Sequence, residues 1–184
     1  MTDIRCDLLI VGAGPAGMAA ACEARVRGLS VIVADEGHVP GGQIYRDAAT
    51  SPLQSTAALG NDYAAGRPLI ERFRACGARY LPQTLVWQIA HESHTGVTEV
   101  VAMLTRAHPA DAASGSGATG TLAVHARGVL IATGAQERPW PVRGWTLPGV
   151  MGVGAAQTLL KSAGLAPPER TVLAGSGPLL WLFA

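Results

Sequence analysis

The sequence predicts an α/β fold: a βαβ unit at the N-terminus, an inserted β-meander, and a chain that stops at the start of a second unit of the first kind. Three observations carry this expectation. An apolar run ending in glycines opens the chain, and an Ala-rich stretch with helical spacing follows it. A second apolar run completes the unit by Ala34. Further on, β-rich runs succeed one another between Thr84 and Ala132 with no helical pattern between them.

Residues 7–11 (Asp-Leu-Leu-Ile-Val) read as a buried parallel strand. Residues 15–27 are Ala-rich, with the charges gathered late. Pro15 suits the first turn of a helix, where its missing N–H costs nothing, and Gly28 stops the helix. Residues 30–34 (Ser-Val-Ile-Val-Ala) form the second strand, and the crossover joining the two strands is right-handed. From Asp35 to Ala65 the chain is turn-rich and reads as a long loop with one short helix, a length that often marks function. Residues 68–76 return to helix, closed by Gly77. Strands are expected over residues 84–90, 97–106, 121–125 and 129–132, with a low-complexity tip from His108 to Gly120. Beyond the Pro/Trp-rich segment that ends at Gly149, residues 153–163 are helical and residues 171–174 form a strand before Gly175-Ser-Gly-Pro178. This divides the chain into a first domain over 1–150, with its meander at about 84–133, and a linker helix plus the start of a second domain of the same kind over 151–184.

The composition narrows the classes of function. Hydrophobic residues make up 48% of the 184 and charged residues 15%, which describes a globular chain with a large core. The net charge of +1 comes with no basic stripe, so nucleic acid is not an expected partner. No apolar run is long enough to span a membrane. Cys6, Cys22 and Cys76 are widely spaced without a Cys-x-x-Cys, which speaks against a redox dithiol and favours a reducing cytoplasm.

Gly12-Ala-Gly14-Pro-Ala-Gly17 is a G-x-G-x-x-G pattern between a predicted strand and helix. Gly12 permits the tight turn, Gly14 lets a pyrophosphate approach the backbone, and Gly17 lets the helix pack closely on the strand. The free N–H groups and positive dipole end at Pro15 then face the phosphates. Asp35 ends the second strand 18 residues beyond Gly17, where a carboxylate accepts hydrogen bonds from ribose hydroxyls and repels a 2′-phosphate. Glu36 is the neighbouring candidate, which strand alternation points the other way. The plain alternative is that these glycines serve packing alone and Asp35 is a solvated strand end. The spacing does not separate FAD from NAD.

A resemblance does. The run from Asp7 to Gly17, followed by Gly41-Gly-Gln-Ile-Tyr-Arg46, resembles the FAD-dependent oxidoreductases with two dinucleotide-binding domains, the group that includes the disulfide reductases. The second run, with Gly134-Ala-Gln-Glu-Arg-Pro139, Gly144-Trp-Thr-Leu-Pro-Gly-Val-Met151 and Gly154-Ala-Ala-Gln157, is similar to the flavin subunits of opine oxidase, hydrogen cyanide synthase and heteromeric proline dehydrogenases. The resemblance implies a Rossmann-like FAD-binding domain in which Gly12, Gly14, Pro15, Ala16 and Gly17 line the pyrophosphate and Asp35, beside Glu36, holds the adenosine ribose. It also implies that Gly42 and Gln43 lie along the ribityl-phosphate side, that the backbone at Val86 contacts adenine, and that Thr133 and Gly134, in the Ala-Thr-Gly signature, leave the last strand beside the cofactor. The implied chemistry is dehydrogenation of a C–N bond in an amino acid or opine-like compound, in a heteromeric enzyme with a partner subunit.

Departures from the family pattern are Arg143, where proline is expected, and the stop at Ala184, which leaves the second glycine turn with Leu180 in place of its third glycine. NAD binding is therefore not assigned there, and the 184 residues alone are expected to be inactive. His91 and His94 lack a third ligand and read as a solvated hairpin. Trp140 and Trp145 read as loop anchors that could also cover a cofactor or partner, and Tyr45 and Arg46 as contacts to FAD, to substrate or to solvent. No catalytic acid, base or nucleophile is identified. Two alternatives stay open: a non-catalytic dinucleotide-binding module, and an NAD(P)H-dependent flavoprotein reductase.

Overall fold

In a computed structural model that describes residues 2–50, 59–94, 97–106, 120–138, 140–168 and 170–183, the chain forms a six-stranded mixed sheet with helices. The elements are β1 (Thr2–Val11), α1 (Pro15–Val26), β2 (Val31–Ala34), α2 (Gly60–Ala64), α3 (Gly66–Ala75), β3 (Arg79–Leu81), β4 (Thr84–His94), β5 (Val97–Arg106), β6 (Gly120–Ile131), α4 (Val153–Ala163) and α5 (Pro178–Phe183). The sheet order is β3-β2-β1-β6-β5-β4. β1 is parallel to β2, from Leu8 opposite Val31 to Val11 opposite Ala34, and parallel to β6, from Thr2 opposite Leu122 to Val11 opposite Ile131. β4, β5 and β6 form the antiparallel meander.

Alternation along β1 and β2 feeds two cores, one on each face of the sheet. Ile10, Val31 and Val33 join Met18, Ala21 and Cys22 of α1 and Ile70 and Phe73 of α3. Leu9, Ile32 and Ala34 join Ala102 and Leu104 of β5 and Val124 and Ala126 of β6. All four residues of β2 are buried, which is why its sequence is a continuous apolar run and not an alternating one. The meander is tied to the parallel half at the end of β2: Asp35 N–H donates to Leu81 O (3.0 Å), Thr84 N–H to Asp35 O (2.8 Å) and Gln83 N–H to Gly37 O (3.0 Å).

Several elements differ from expectation. β1 starts at Thr2, five residues before the expected strand, because residues 2–6 pair with the first half of β6. The two strands expected over 121–125 and 129–132 are the single strand β6, since Arg127 and Gly128 interrupt the apolar pattern but not the ladder with β1. β3, which was not expected, is a three-residue strand paired with β2. α3 begins at Gly66, with Pro68 inside its first turn. Residues 171–174 are not a strand: Val172 is 90% exposed, and no neighbouring strand among the described residues offers them a ladder. The short helix expected in the long loop is α2, while the turn at Ser51–Pro52 and the tip up to residue 119 lie outside the described residues.

Asp7 ties three strands at the edge of the core. Its carboxylate accepts from the Ser30 hydroxyl (2.6 Å) and Ser30 N–H (2.8 Å) before β2, and from Arg127 of β6 (3.3 Å). These bonds, those from Ser30 foremost, lower its pKa below the ordinary 3.8. A depressed carboxylate pKa contributes stability that is present above 3.8 and lost as pH falls through the lowered value. Asp7→Asn is therefore expected to flatten the acid limb of a urea-unfolding series run from neutral to acid pH; an unchanged acid limb refutes the role. The packing of α1 on β1 gives a second prediction. A Cβ on Gly17 would overlap the Gly12 carbonyl oxygen, whereas one on Gly128 would meet nothing within 4 Å. Gly17→Ala should cost about 2–3 kcal/mol by overpacking, and Gly128→Ala should stay within about 0.5 kcal/mol of the parent, both measured by equilibrium unfolding.

Candidate functional site

The first turn of the chain grows out of β1, where Gly12 N–H still bonds Ala34 O (2.8 Å). Gly12 has φ +105, and a Cβ there would overlap Ala132 O and lie 3.2 Å from Thr133 Cα. Gly12 is thus held between the turn and the chain leaving β6. Gly14 is different. Its φ is −73, and the atom nearest to its ideal Cβ is Gly42 Cα at 4.0 Å. The protein's own packing does not demand a glycine there, so the bare backbone leaves an open approach.

α1 starts at Pro15 with Gly14 as N-cap, no side-chain cap and no acidic residue in its first turn. The first helical bond is Met18 N–H to Gly14 O (2.9 Å), so the amides of Ala16 and Gly17 have no acceptor within the helix. Ala16 is exposed and Gly17 buried. An uncapped helix start with open backbone beside it is an anion site, and it fits a pyrophosphate.

The Asp35 carboxylate points at this turn. Oδ2 accepts Ala13 N–H at 2.6 Å, and Oδ1 accepts Gly37 N–H at 2.7 Å. Each oxygen keeps a lone pair for a further donor such as a ribose hydroxyl. Glu36, next to it, is exposed. The loop after β2 then crosses the turn: Gly41 N–H donates to Ala13 O (2.9 Å), and a Cβ on Gly42 would lie 2.9 Å from Gly14 Cα. Ala13, fully buried, therefore joins Asp35 through its N–H and Gly41 through its C=O. Nothing in the sequence signals this role, because Ala13 is merely the variable residue between two motif glycines.

The structure thus gathers Gly12, Gly14, Pro15, Ala16, Gly17, Asp35, Gly42 and Thr133 around one turn. Gly134 follows with φ +70. Gln43 is exposed, and its Oε1 accepts from Arg46 Nε (3.3 Å) and Nη2 (3.0 Å). Val86 is half-buried against the meander core, at the β-bulge between Val86 and Gln88, two residues beyond the Thr84 amide that binds Asp35 O. Glu137, just past Gly134, caps α4 by accepting Gly154 N–H (2.9 Å). Trp140 and Trp145 are exposed. A cleft of about 370 Å³ between the loop and α3 is lined by Val39, Pro40, Phe73, Arg74 and Tyr80 among others, and no residue of the glycine turn borders it. Burial pushes the Cys6 thiol up to about 11 and raises that of Cys76, the reverse of an activated nucleophile. Among the described residues no three His, Cys, Asp or Glu side chains are grouped to hold a metal ion, and no helix is long and apolar enough to cross a membrane.

Strand, glycine turn, uncapped helix and a carboxylate aimed at the turn from the next strand define a dinucleotide-binding α/β protein. Comparison with known proteins agrees. Residues 6–179 match the family model of the pyridine nucleotide-disulphide oxidoreductases, and the chain belongs to that family. It is 46% identical over 179 residues to a subunit of opine oxidase from Agrobacterium tumefaciens (strain Ach5), an alignment covering 97% of this chain and 33% of the relative. It is 36% identical over 180 residues to hydrogen cyanide synthase subunit HcnB of Pseudomonas aeruginosa, covering 96% and 34%. Among solved structures, L-proline dehydrogenase from P. horikoshii shares the fold, with a TM-score of 0.66 at 20% identity over 90% of this chain and 30% of that one. The chain spans about a third of the length of the curated relatives it matches. Membership places the chain in an oxidoreductase family, and its glycine turn fits a flavin or other dinucleotide cofactor.

The Asp35 contacts are testable without any ligand. Asp35→Asn sets an amide NH₂ against one of the two N–H donors. It should lower stability by about 1–3 kcal/mol in thermal or urea unfolding, and an unchanged midpoint would show that the carboxylate does not hold the turn.

Proposed function

We propose that the chain is the FAD-binding part of an oxidoreductase that dehydrogenates a C–N bond of an amino acid or opine-like compound, working with a partner subunit. The observation that carries the dinucleotide part of this reading is the open backbone at Gly14 beside the uncapped start of α1, with the Asp35 carboxylate fixed on the same turn, and the flavin-subunit motifs at residues 41–46 and 134–139 favour FAD. The identity to the opine oxidase chain supports the substrate class and the partner, since that relative is named as one subunit of its enzyme. In this reading the amides of Ala16 and Gly17 receive the pyrophosphate, Asp35 receives the ribose hydroxyls, and Glu36 stands beside it in solvent. Gly42 and Gln43 follow the ribityl side, the Val86 backbone meets the adenine, and Thr133 and Gly134 border the cofactor where the chain leaves β6. The first domain then comprises residues 1–150, and α4 begins the connection onward. The three free thiols suit a reducing cytoplasm.

When bound, the flavin accepts the electrons of the oxidised C–N bond. The chain's part is binding and orientation. The helix start neutralises diphosphate charge, Gly14 admits the phosphates to backbone distance, and the Asp35 carboxylate disfavours a 2′-phosphate.

Titration of the purified chain with FAD, followed by flavin absorbance and fluorescence quenching, tests the proposal. Saturable FAD binding that NAD does not displace is the expected result. Gly14→Ala should fold with unchanged stability, because its Cβ meets no atom closer than 4.0 Å, yet bind FAD at least about tenfold more weakly by blocking the phosphates. Absence of flavin binding in the parent, displacement by NAD, or full affinity in Gly14→Ala would each overturn the reading.

A further inference from the structure

The segment after Gly42 follows a chain of turns and no regular element. Gly41, Gly42 and Asp47 all have positive φ (+139, +59 and +55). Its local bonds run from Tyr45 N–H to Gly41 O (3.1 Å), Ala48 N–H to Tyr45 O (3.0 Å) and Thr50 N–H to Asp47 O (2.9 Å). None of these uses the carbonyls of Gln43 and Ile44. Both are taken by a side chain more than a hundred residues away: Lys161 of α4 donates to Gln43 O (3.0 Å) and Ile44 O (3.1 Å). Its ammonium also lies 5.6 Å from the centre of the Tyr63 ring, and Tyr63 Oη donates to Arg46 O (2.6 Å). The next residue, Ser162, donates to the Asp47 carboxylate. Among the described residues of α4 only Ala156 is buried, and polar contacts to this loop add to its attachment. Lys161 is also the single lysine of the 184 residues.

We propose that Lys161 is a positioning residue for the cofactor: by gripping the Gln43 and Ile44 carbonyls from α4, it sets the backbone of Gly41–Gln43 where that loop crosses the Gly14 approach. The inference rests on the FAD reading above. It deepens that reading by making cofactor affinity depend on a residue outside the glycine turn, on the helix that leads away from the first domain. The coupling path is short. Gln43 follows directly on Gly42, which faces Gly14 Cα, and Gly41 is bonded to Ala13 O. Release at Lys161 frees a segment that follows two positive-φ glycines, Gly41 and Gly42, which have few conformational constraints of their own. The charge matters as well as the reach, since a cation donating to two carbonyls makes stronger bonds than a neutral donor. Arg46 and Asp47 are the charged groups beside it on the loop.

The experiment has two arms on the full chain. In the cofactor-free protein, hydrogen exchange is read at the amides of residues 42–47 in the parent, Lys161→Met and Lys161→Arg. Loss of protection in Lys161→Met, with β1 and α1 unchanged, is expected, and Lys161→Arg should restore most of it. In the second arm, FAD affinity should fall about tenfold in Lys161→Met and recover in Lys161→Arg, the change expected from losing charge-assisted bonds. Unchanged loop exchange, or affinity within about twofold of the parent, overturns the proposal. A parent that binds no FAD but shows the exchange pattern would sink the functional reading and leave the grip on the loop intact. Should Lys161→Met not fold, the lone side-chain resonance of ¹⁵N-lysine-labelled parent decides. An ammonium protected from solvent and shifted by FAD supports the proposal, and one exchanging like free lysine ends it.

Discussion

Backbone touching backbone where no Cβ fits is the constraint on which this structure rests. The carbonyl of Gly12 occupies the place a side chain on Gly17 would take, and Ala132 O occupies the place of one on Gly12. These two contacts seat α1 on β1 and β6 against the turn. Everything that faces the cofactor position is built outward from them: the uncapped start of α1, the open flank of Gly14, and the loop that crosses at Gly42. The charge pattern follows the same geometry. The helix start carries no acidic residue in its first turn, and the Asp35 carboxylate beside it is held by two bonds, from the Ala13 and Gly37 amides.

The parts of this arrangement that the sequence disclosed are those in which one residue type answers one local need. Gly12 and Gly17 are legible because only glycine fits those contacts, Gly14 because it completes their spacing, and Asp35 because a carboxylate at a strand end has a known distance from the turn. The meander was legible from its β-rich runs. What escaped depends on partners far along the chain. β3 is three residues long, and it is a strand because β2 lies beside it. Residues 2–6 are polar at alternate positions and become strand through pairing with β6. Residues 171–174 have strand composition, but composition without a neighbour does not make a ladder. Ala13 and Lys161 were invisible as site residues for the same reason: their roles lie in backbone groups contributed by other segments.

The site also shows how a loop without regular structure is fixed. At its start Asp35, Gly37 and Gly41 are bonded to the glycine turn or to each other, and over residues 43–47 α2 and α4 take hold through Tyr63, Lys161 and Ser162. Specificity of this kind comes from satisfied polar groups more than from apolar burial.

The pairing of β1 with β6 has a consequence for how the chain acquires its shape. β1 precedes the other strands of this sheet in the chain, yet one of its two neighbours is completed only about 120 residues later. The hairpins β4–β5 and β5–β6 close over shorter distances, and loop-closure entropy favours them early. Until β6 arrives, Cys6 and Leu9 lack the partners that bury them, leaving a sticky apolar edge on the nascent chain. Maturation of the glycine turn, which needs Ala132 in place behind Gly12, therefore waits for the last strand of this sheet, and a ribosome-bound chain shorter than that carries no finished turn.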